Sequence, residues 1–273
     1  MKQPCLLIMV PNTGMVHTQF MKSIIELTQS LKTKKIPFAM KTVEFSDIVM
    51  SRNYLLSYFL SHEKFSHALF IDSDLSFKPE QFFRLFDFDE EFVAAVYPDR
   101  RFTDGIMKAL WKEQKETPKD GSELEMIHET VAGAMHYLTT RKDSPTTTIP
   151  TEQKDGFHTA ATLAGGFSLL KRAVPEKMVQ AGVARNMPRI GSLKMYKDAP
   201  RFADFFSHLP TDDNAAILGE DQSFCKRWVQ GCGGKIWVDG ASKIIHHGNY
   251  AFRGDYSKSD QNIISQASGR RDF

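Results

Sequence analysis

The sequence predicts an α/β protein with a mainly parallel sheet flanked by helices. Short apolar runs end at turn-forming residues, and several of the stretches between them carry apolar residues at helical spacing. The first run, 5–10 (CLLIMV), has no polar residue and stops at Pro11, which predicts a fully buried strand. The helix that follows, about 16–33, presents one apolar face made of Phe20, Ile24, Leu27 and Leu31.

The same alternation continues along the chain. Ser46 or Asp47 can cap a second helix that ends near residue 61. Two stretches, 99–160 and 184–215, interrupt the pattern with charge clusters and turn residues. We therefore predict a single domain with loop-rich insertions. The remaining predicted strands are 36–43, 68–71, 92–97, 163–170 and 235–238, and the remaining helices begin at Pro79, Pro175 and Gln222.

Composition excludes several classes of protein. The 273 residues include 35 basic and 33 acidic side chains, so the chain has no strong electrostatic signature of nucleic-acid binding. Its 41% apolar and 25% charged residues exclude collagen, coiled coil and wholesale disorder. No run reaches the roughly 18 apolar residues of a membrane span, and the first apolar run is too short for a signal peptide. Cys5, Cys225 and Cys232 lack metal-ligand spacing and favour a reducing compartment, so we expect a cytoplasmic protein.

Asp72 and Asp74 are the strongest local indication of chemistry. They follow the buried strand 68–71 and are separated only by Ser73. Side chains two residues apart in an extended segment share a face, so both carboxylates can converge on one cation at the carboxyl end of a parallel strand. Such hard oxygen ligands suit Mn²⁺ or Mg²⁺, which bridges phosphate oxygens. The alternative is a pair of acidic turn residues where the strand leaves the core.

The aspartate pair belongs to an ordered set of motifs that covers nearly the whole chain outside the two loop-rich stretches. Its members are Ser51-Arg52-Asn53, His67 to Phe77 with Pro79-Glu80, Val93 to Pro98, Gly165 to Leu170, Gly219 to Trp228, Gly233 to Asp239, and His246 through Asp255. In this order and spacing they resemble the GT-A family of nucleotide-sugar-dependent glycosyltransferases, in a branch common in bacteria and their phages. The resemblance implies a Rossmann-related GT-A-like fold. In it, 1–98 binds the nucleotide sugar, 99–160 is an insertion, 161–255 forms the acceptor side and 256–273 is a tail.

The resemblance also implies a metal site. Asp72 and Asp74 match the DxD motif of the family, and His246 matches a late histidine that serves as a third ligand of Mn²⁺ or Mg²⁺. His247 stands beside it, so the sequence leaves open which of the two imidazoles binds the ion. Arg52 either contacts phosphate or pairs with Asp72 and orients it.

Further contacts to the donor are implied by the same resemblance. Several of these residues have ordinary structural alternatives. Pro11, Asn12 and Thr13 can form a strand-to-helix turn, and Asp47 can cap a helix. Asn53 can hydrogen-bond to the backbone, and Gly165 and Gly166 can form a β-bulge. Arg253 either neutralises the diphosphate or is a solvated charge. The implied donor-binding residues are Pro11, Asn12, Thr13, Asp47, Arg52, Asn53, Asp72, Ser73, Gly165, Gly166 and Arg253.

Glu220 and Asp221 are the implied catalytic carboxylates, placed at the N-terminus of the acceptor-side helix as a base or as acceptors from sugar hydroxyls. Simple first-turn capping is their alternative. Together these residues predict a metal-dependent glycosyltransferase that moves a sugar from a nucleoside diphosphate, with UDP expected, to an acceptor hydroxyl. They do not decide between inverting and retaining transfer.

The acceptor is left open among a saccharide, a protein and a hydroxymethylated base of phage DNA. The basic residues of the first insertion that would touch DNA are Lys108, Lys112, Lys115, Arg141 and Lys142. Acidic residues are interleaved with them. The alternative functions are a nucleotide-sugar hydrolase or a nucleotidyltransferase with the same two-carboxylate metal site, and a binding protein without turnover.

Overall fold

The structure is a computed structural model that describes residues 3–101, 131, 135–137, 139, 152–187, 195–249 and 251–259. The strands within these ranges are β1 (Leu6–Asn12), β2 (Phe38–Glu44), β3 (His67–Ile71), β4 (Leu75–Ser76), β5 (Phe92–Ala95), β6 (Gln153–Lys154), β7 (Phe157–Ala160), β8 (Phe167–Lys171), β9 (Arg185–Asn186), β10 (Ala203–Asp204), β11 (Ile236–Asp239), β12 (Ile245–His247) and β13 (Ala251–Arg253). The helices are α1 (Thr18–Thr33), α2 (Ile48–Ser61), α3 (Pro79–Phe88), α4 (Ala173–Gln180), α5 (Met195–Asp198) and α6 (Glu220–Cys232), followed by a 3₁₀ turn at Tyr256–Lys258.

The central sheet has eight described strands in the order β2-β1-β3-β8-β5-β11-β7-β6. β1 lies parallel to both β2 and β3, and β11 lies parallel to β5. β8 runs antiparallel between β3 and β5, and β7 runs antiparallel to β11. The five strands β1, β2, β3, β5 and β11 therefore share one direction. This confirms the predicted mainly parallel sheet, with reversed strands that the sequence did not indicate.

The side chains of β1 alternate between two cores, one on each face of the sheet. Leu7 and Met9 pack in a core with residues of α2, α4 and α6, whereas Leu6, Ile8 and Val10 pack in a core with residues of α1 and α3. All five are at most 1% exposed. Burying a side chain of this size contributes about 1.5–3 kcal/mol. The absence of polar residues in this run thus follows from a strand covered by helices on both faces, as the sequence predicted.

Local signals determine where the first two long helices begin. The Asp47 carboxylate accepts a hydrogen bond from the backbone N–H of Met50 at 3.1 Å, which caps α2 and confirms the capping alternative for this residue. α1 begins one residue after His17, whose Nδ1 accepts from the N–H of Gln19 at 3.2 Å. α6 has Gly219 as its N-cap and two acidic residues in its first turn, where the helix dipole favours negative charge.

A small second sheet joins the C-terminal part of the chain to the segment after β3. β12 pairs with both β4 and β13, and this register places His246 opposite Leu75. The backbone N–H of His247 donates to the carbonyl oxygen of Asp74 at 2.8 Å. The pairing brings two histidines to the carboxyl edge of the central sheet, beside the predicted DxD motif.

The C-terminal boundary of the predicted insertion 99–160 lies too far along the chain. β6 and β7 belong to the central sheet, and β7 pairs with β11 from Phe157 to Ala160. A four-residue strand beside a glycine turn is too short for a periodicity to reveal it. The five basic residues proposed to touch DNA lie outside the described residues, as do 188–194 and most of the predicted tail. In the described parts of the chain, no helix combines the length and apolar character that crossing a bilayer requires.

Candidate functional site

A pocket of about 450 Å³ opens at the carboxyl edge of the sheet, where the loops after β1, β2 and β3 meet the N-terminus of α6. Two larger clefts, of about 980 and 600 Å³, lie elsewhere on the surface, and neither gathers carboxylates from several strand ends. We therefore take the smaller pocket as the candidate site. It is lined by Pro11, Asn12, Thr13, Phe45, Ser46, Ile48, Arg52, Asp72, Ser73, Asp74, Arg100, Glu220 and Asp221.

Arg52 is a buried cation that three carboxylates surround. It is 2% exposed, and its Nη2 donates to Asp72 Oδ1 at 3.1 Å. Its Nη1 lies 3.6 Å from Asp221 Oδ1 and its Nε lies 3.9 Å from Glu220 Oε1, both longer than a hydrogen bond. Burial lowers the pKa of Arg52, but the charges of Asp221 and Asp72 outweigh burial and the pKa is raised. We call Arg52, Asp72, Tyr97, Glu220 and Asp221 the Arg52 centre.

Asp72 is held by more than Arg52. Its backbone N–H donates to the carbonyl oxygen of Gly166 at 2.8 Å, and the Tyr97 hydroxyl lies 3.4 Å from Asp72 Oδ2. The same hydroxyl accepts from the N–H of Gly166 at 3.0 Å. A Cβ on Gly166 would lie 2.2 Å from Asp72 Oδ2, and a Cβ on Gly165 would lie 2.6 Å from Asp221 Oδ1. These glycines precede β8 and make room for the protein's own carboxylates. Their position before β8 differs from a β-bulge within the strand, and their predicted approach to a donor sugar stays a prediction.

Asp221 is the carboxylate of the Arg52 centre whose protonation is most perturbed. Its side chain is 18% exposed, and Oδ1 has no hydrogen-bond partner among the described residues. Burial, together with the negative charges of Glu220 and Asp72, raises the pKa of Asp221 to about 6 against the attraction of Arg52. A carboxylate with a pKa near 6 can accept a proton at neutral pH and can also return it.

Asp74 faces a different environment two residues farther along. Its Oδ2 accepts from Arg100 Nη1 at 2.9 Å and lies 3.4 Å from His246 Nε2. His246 Nδ1 lies 2.9 Å from the carbonyl oxygen of Pro98, so Nδ1 carries the hydrogen and Nε2 is the nitrogen presented to Asp74. Burial raises the pKa of Asp74, but His246 and Arg100 outweigh burial and lower it. We call Asp74, Arg100 and His246 the Asp74 edge.

Of the neighbouring residues His246 and His247, only His246 has its imidazole facing Asp74. The His247 ring stacks on the His17 ring with centroids 4.1 Å apart, and His247 Nε2 lies 2.7 Å from Ser76 Oγ. The ring of His247 is thereby engaged on the side of the second sheet. Of the alternatives that the sequence left open, His246 is the histidine placed next to the DxD motif.

The three predicted metal ligands do not form one cluster. Asp74 and His246 are adjacent, whereas Asp72 is paired with Arg52. In the described part of the chain, no three His, Cys, Asp or Glu side chains are grouped closely enough to hold a metal ion. Asp74 and His246 nevertheless suit Mg²⁺ or Mn²⁺, because such ions are bound through one or two protein ligands plus substrate phosphates and water. The residues fit a two-ligand ion site better than the predicted three-ligand site.

The opposite end of the pocket is apolar, and the sequence reasoning missed its residues. Phe45 and Ile48 are 38% and 39% exposed, although both are large apolar side chains, and they line the pocket with Pro11. Phe45 and Ile48 follow β2, in the same way that the segment Pro11–Thr13 comes at the end of β1. Their position after a parallel strand was the sequence signal that could have identified them as pocket residues. Arg100 was also missed, although it comes just after Tyr97-Pro98, the end of a matched motif.

Five predicted donor contacts lie outside the pocket lining, namely Asp47, Asn53, Gly165, Gly166 and Arg253. Asn53 is 1% exposed, its Oδ1 accepts from the N–H groups of Phe205 and Phe206, and its Nδ2 donates to Asp204 Oδ1 at 3.1 Å. Asn53 therefore anchors the 203–206 segment, and the prediction that it binds the donor is corrected to its backbone alternative. Asp47 caps α2, and Arg253 is exposed on β13.

Comparison with known proteins leaves the family open. No protein-family model matches the chain, and no curated protein matches its sequence. Among solved structures, A197 from STIV has a TM-score of 0.45 and 14% identity, over 92% of this chain and 94% of that one. A glycosyltransferase involved in the glycosylation of the major capsid of PBCV-1 has a TM-score of 0.24 and 15% identity, over 47% of this chain and 77% of that one.

A third similar structure is 4-diphosphocytidyl-2C-methyl-D-erythritol synthase from Anaerococcus prevotii DSM 20548. It has a TM-score of 0.31 and 8% identity, over 84% of this chain and all 100% of that one. Similarity at these identities and TM-scores carries no conclusion about activity. The function of this chain has to be argued from its pocket.

Proposed function

We propose that this protein is a glycosyltransferase that uses a nucleoside-diphosphate sugar and a divalent cation. One observation carries the proposal: a single pocket has an apolar end, with Phe45 and Ile48, and a charged end, whose lining residues are Arg52, Asp72, Asp74, Arg100, Glu220 and Asp221. A nucleotide has matching ends, because its planar base has apolar faces that pack against apolar side chains, whereas its diphosphate is anionic.

The charges in the pocket support a cation as part of the complex. Four carboxylates line it against two guanidinium groups. A diphosphate has the same sign as the carboxylates, so it needs added positive charge to bind there. A divalent ion held by Asp74 and His246 would supply that charge and would stabilise the leaving diphosphate as a Lewis acid.

Residues of the Arg52 centre supply the remaining functions. Arg52, Tyr97 and Gly166 together hold Asp72 in place. Asp221 is the proposed base for the acceptor hydroxyl, because its pKa of about 6 lies close to neutral pH. Glu220 stands beside it at the N-terminus of α6 as an acceptor from sugar hydroxyls. The acceptor itself, a saccharide, a protein or a modified DNA base, is not defined by the described residues.

Thermal unfolding with UDP, GDP, CMP and ADP, each with and without Mn²⁺, tests the proposal. A nucleotide at about 100 times its dissociation constant adds about 2.7 kcal/mol of stability, which raises the Tm by roughly 5–10 °C at this size. We expect a Mn²⁺-dependent shift with one nucleotide, lost in Asp74→Ala and kept in Asp87→Ala, an exposed aspartate outside the pocket.

The products of the matching nucleotide sugar then separate the candidate activities. A glycosylated acceptor supports the transferase, free sugar alone indicates a hydrolase, and pyrophosphate indicates a nucleotidyltransferase. The absence of a shift with any nucleotide, or an Asp74→Ala protein with full Mn²⁺-dependent binding, would contradict the proposed function.

A further inference from the structure

Arg100 is a partly exposed cation at the mouth of the pocket. Its side chain is 48% exposed. Among the described residues, its hydrogen bonds come from Nη1 alone, which donates to Asp74 Oδ2 at 2.9 Å and to the carbonyl oxygen of His247 at 3.3 Å. The other two guanidinium nitrogens, Nε and Nη2, donate no hydrogen bond to the described residues. A guanidinium uses adjacent donors to bind a phosphate or carboxylate in a bidentate manner.

The two guanidinium groups of the pocket differ in their freedom to move. The side chain of Arg52 is 3% exposed and lies among three carboxylates, and its guanidinium carbon is 5.6 Å from the centre of the Phe70 ring. Moving it would leave those carboxylates without a counter-charge inside the protein. Arg100 has one carboxylate partner and solvent on its other side, so it can exchange partners at small cost.

The chain leaves space for the Arg100 side chain. A Cβ on Gly248 would lie 3.2 Å from Arg100 Cδ, so the residue after the two histidines has no side chain where the arginine passes. The Arg100 stem therefore lies over the end of β12, and its head group points to Asp74. The guanidinium contacts Asp74 Oδ2, the same oxygen that lies 3.4 Å from His246 Nε2 and that an ion bound by Asp74 and His246 would need.

We propose that Arg100 exchanges partners: it neutralises Asp74 in the free protein, yields Asp74 to the divalent ion, and then binds the diphosphate of the donor. This inference rests on the proposed function and adds a diphosphate-binding residue to it. It predicts that loss of the Arg100 guanidinium has opposite effects on the binding of the ion and on the binding of the diphosphate. Removing the guanidinium frees Asp74 for the ion, and it takes a ligand away from the diphosphate.

Arg100→Gln is the test variant, and Arg101→Gln is its matched control. Arg101 is the next residue, its side chain is 69% exposed, and its partner is Asp99 rather than Asp74. Two probes are used: Mn²⁺ alone, followed by the loss of the free-ion electron paramagnetic resonance signal, and the nucleoside diphosphate that stabilises the wild type, titrated by calorimetry beside its monophosphate.

In Arg100→Gln we expect Mn²⁺ alone to bind several-fold more tightly, because the competing cation has gone. The diphosphate should bind about tenfold or more weakly in the presence of saturating Mn²⁺, the usual scale for losing a charge-assisted hydrogen bond. The monophosphate should change less, and Arg101→Gln should match the wild type with every probe.

The outcomes separate this inference from the proposed function. If the wild type binds no nucleoside diphosphate, the proposed function fails and the inference with it. If the wild type binds one and Arg100→Gln has the same diphosphate-to-monophosphate ratio as Arg101→Gln, the inference alone is overturned. Weaker Mn²⁺ binding in Arg100→Gln would also overturn it, because it would make Arg100 a support of the ion site rather than its competitor. Circular dichroism and the Tm of each variant confirm that it is folded.

Discussion

The Arg52 centre and the Asp74 edge begin two residues apart on one loop, yet they differ in burial and in the direction of their pKa shifts. Asp72 is paired with a guanidinium whose side chain is 3% exposed, and Asp74 with one whose side chain is 48% exposed. Burial raises the pKa of Asp221 in the first region, whereas His246 and Arg100 lower the pKa of Asp74 in the second. One pocket thus combines a buried charge cluster with a partly solvated one.

The largest expected effect is the loss of Arg52. Arg52→Met leaves three carboxylates facing one another without their cation, so we expect a loss of about 3–5 kcal/mol and a fall in Tm on the order of 10 °C. Arg100→Met, the matched change at the Asp74 edge, should cost less than about 1 kcal/mol because its ion pair is solvated. Urea unfolding at pH 7 measures both, and equal losses would remove the distinction between the two regions.

The pH dependence of stability should have different forms in the two regions. Because the pKa of Asp221 is raised to about 6, the folded protein binds the extra proton, and ionising Asp221 costs stability as the pH rises from about 4 to 7. Asp221→Asn removes this cost, so its stability relative to wild type should rise across that window by about 3 kcal/mol. Denaturant unfolding at several pH values measures the trend.

Asp74→Asn is the control for that trend. The pKa of Asp74 is lowered, so its charge adds stability above the ordinary pKa of an aspartate, and this contribution is lost only as the pH falls below that value. Its stability relative to wild type should be nearly constant between pH 5 and 7. A flat Asp221→Asn difference over the same range would contradict the assignment of Asp221 as a proton acceptor near neutral pH.

A smaller effect is expected from filling the two glycine positions. In Gly166→Ala the new methyl would lie 2.2 Å from Asp72 Oδ2 and 2.4 Å from the Tyr97 hydroxyl, and the fixed centre has no room to yield. We expect a loss of about 1–3 kcal/mol. In Gly248→Ala the contact is 3.2 Å, to the stem of a flexible arginine, and the loss should stay within about 0.5 kcal/mol. Thermal unfolding compares the pair, and a larger loss in Gly248→Ala would show that the Asp74 edge is the more rigid region.

The sequence by itself determined the features that depend on local patterns. An apolar run without polar residues specifies a strand covered on both faces, and Asp47 one residue before Ile48 specifies a helix start. The position of Asp72 and Asp74 at a strand end also follows from local pattern, because parallel strands that share a direction end at one edge. These features need only a few neighbouring residues, so a single sequence contains them.

Only the tertiary structure decided which partner each polar group takes. Asn53 bonds to Phe205, 152 residues away, and Ser76 selects His247, 171 residues away, which leaves His246 to Asp74. Such pairings depend on how strands are placed side by side, and a shift of one residue would turn each of these side chains to the other face. The partners of Arg100, Asp74 at 26 residues and the carbonyl oxygen of His247 at 147 residues along the chain, likewise depend on this placement of the strands.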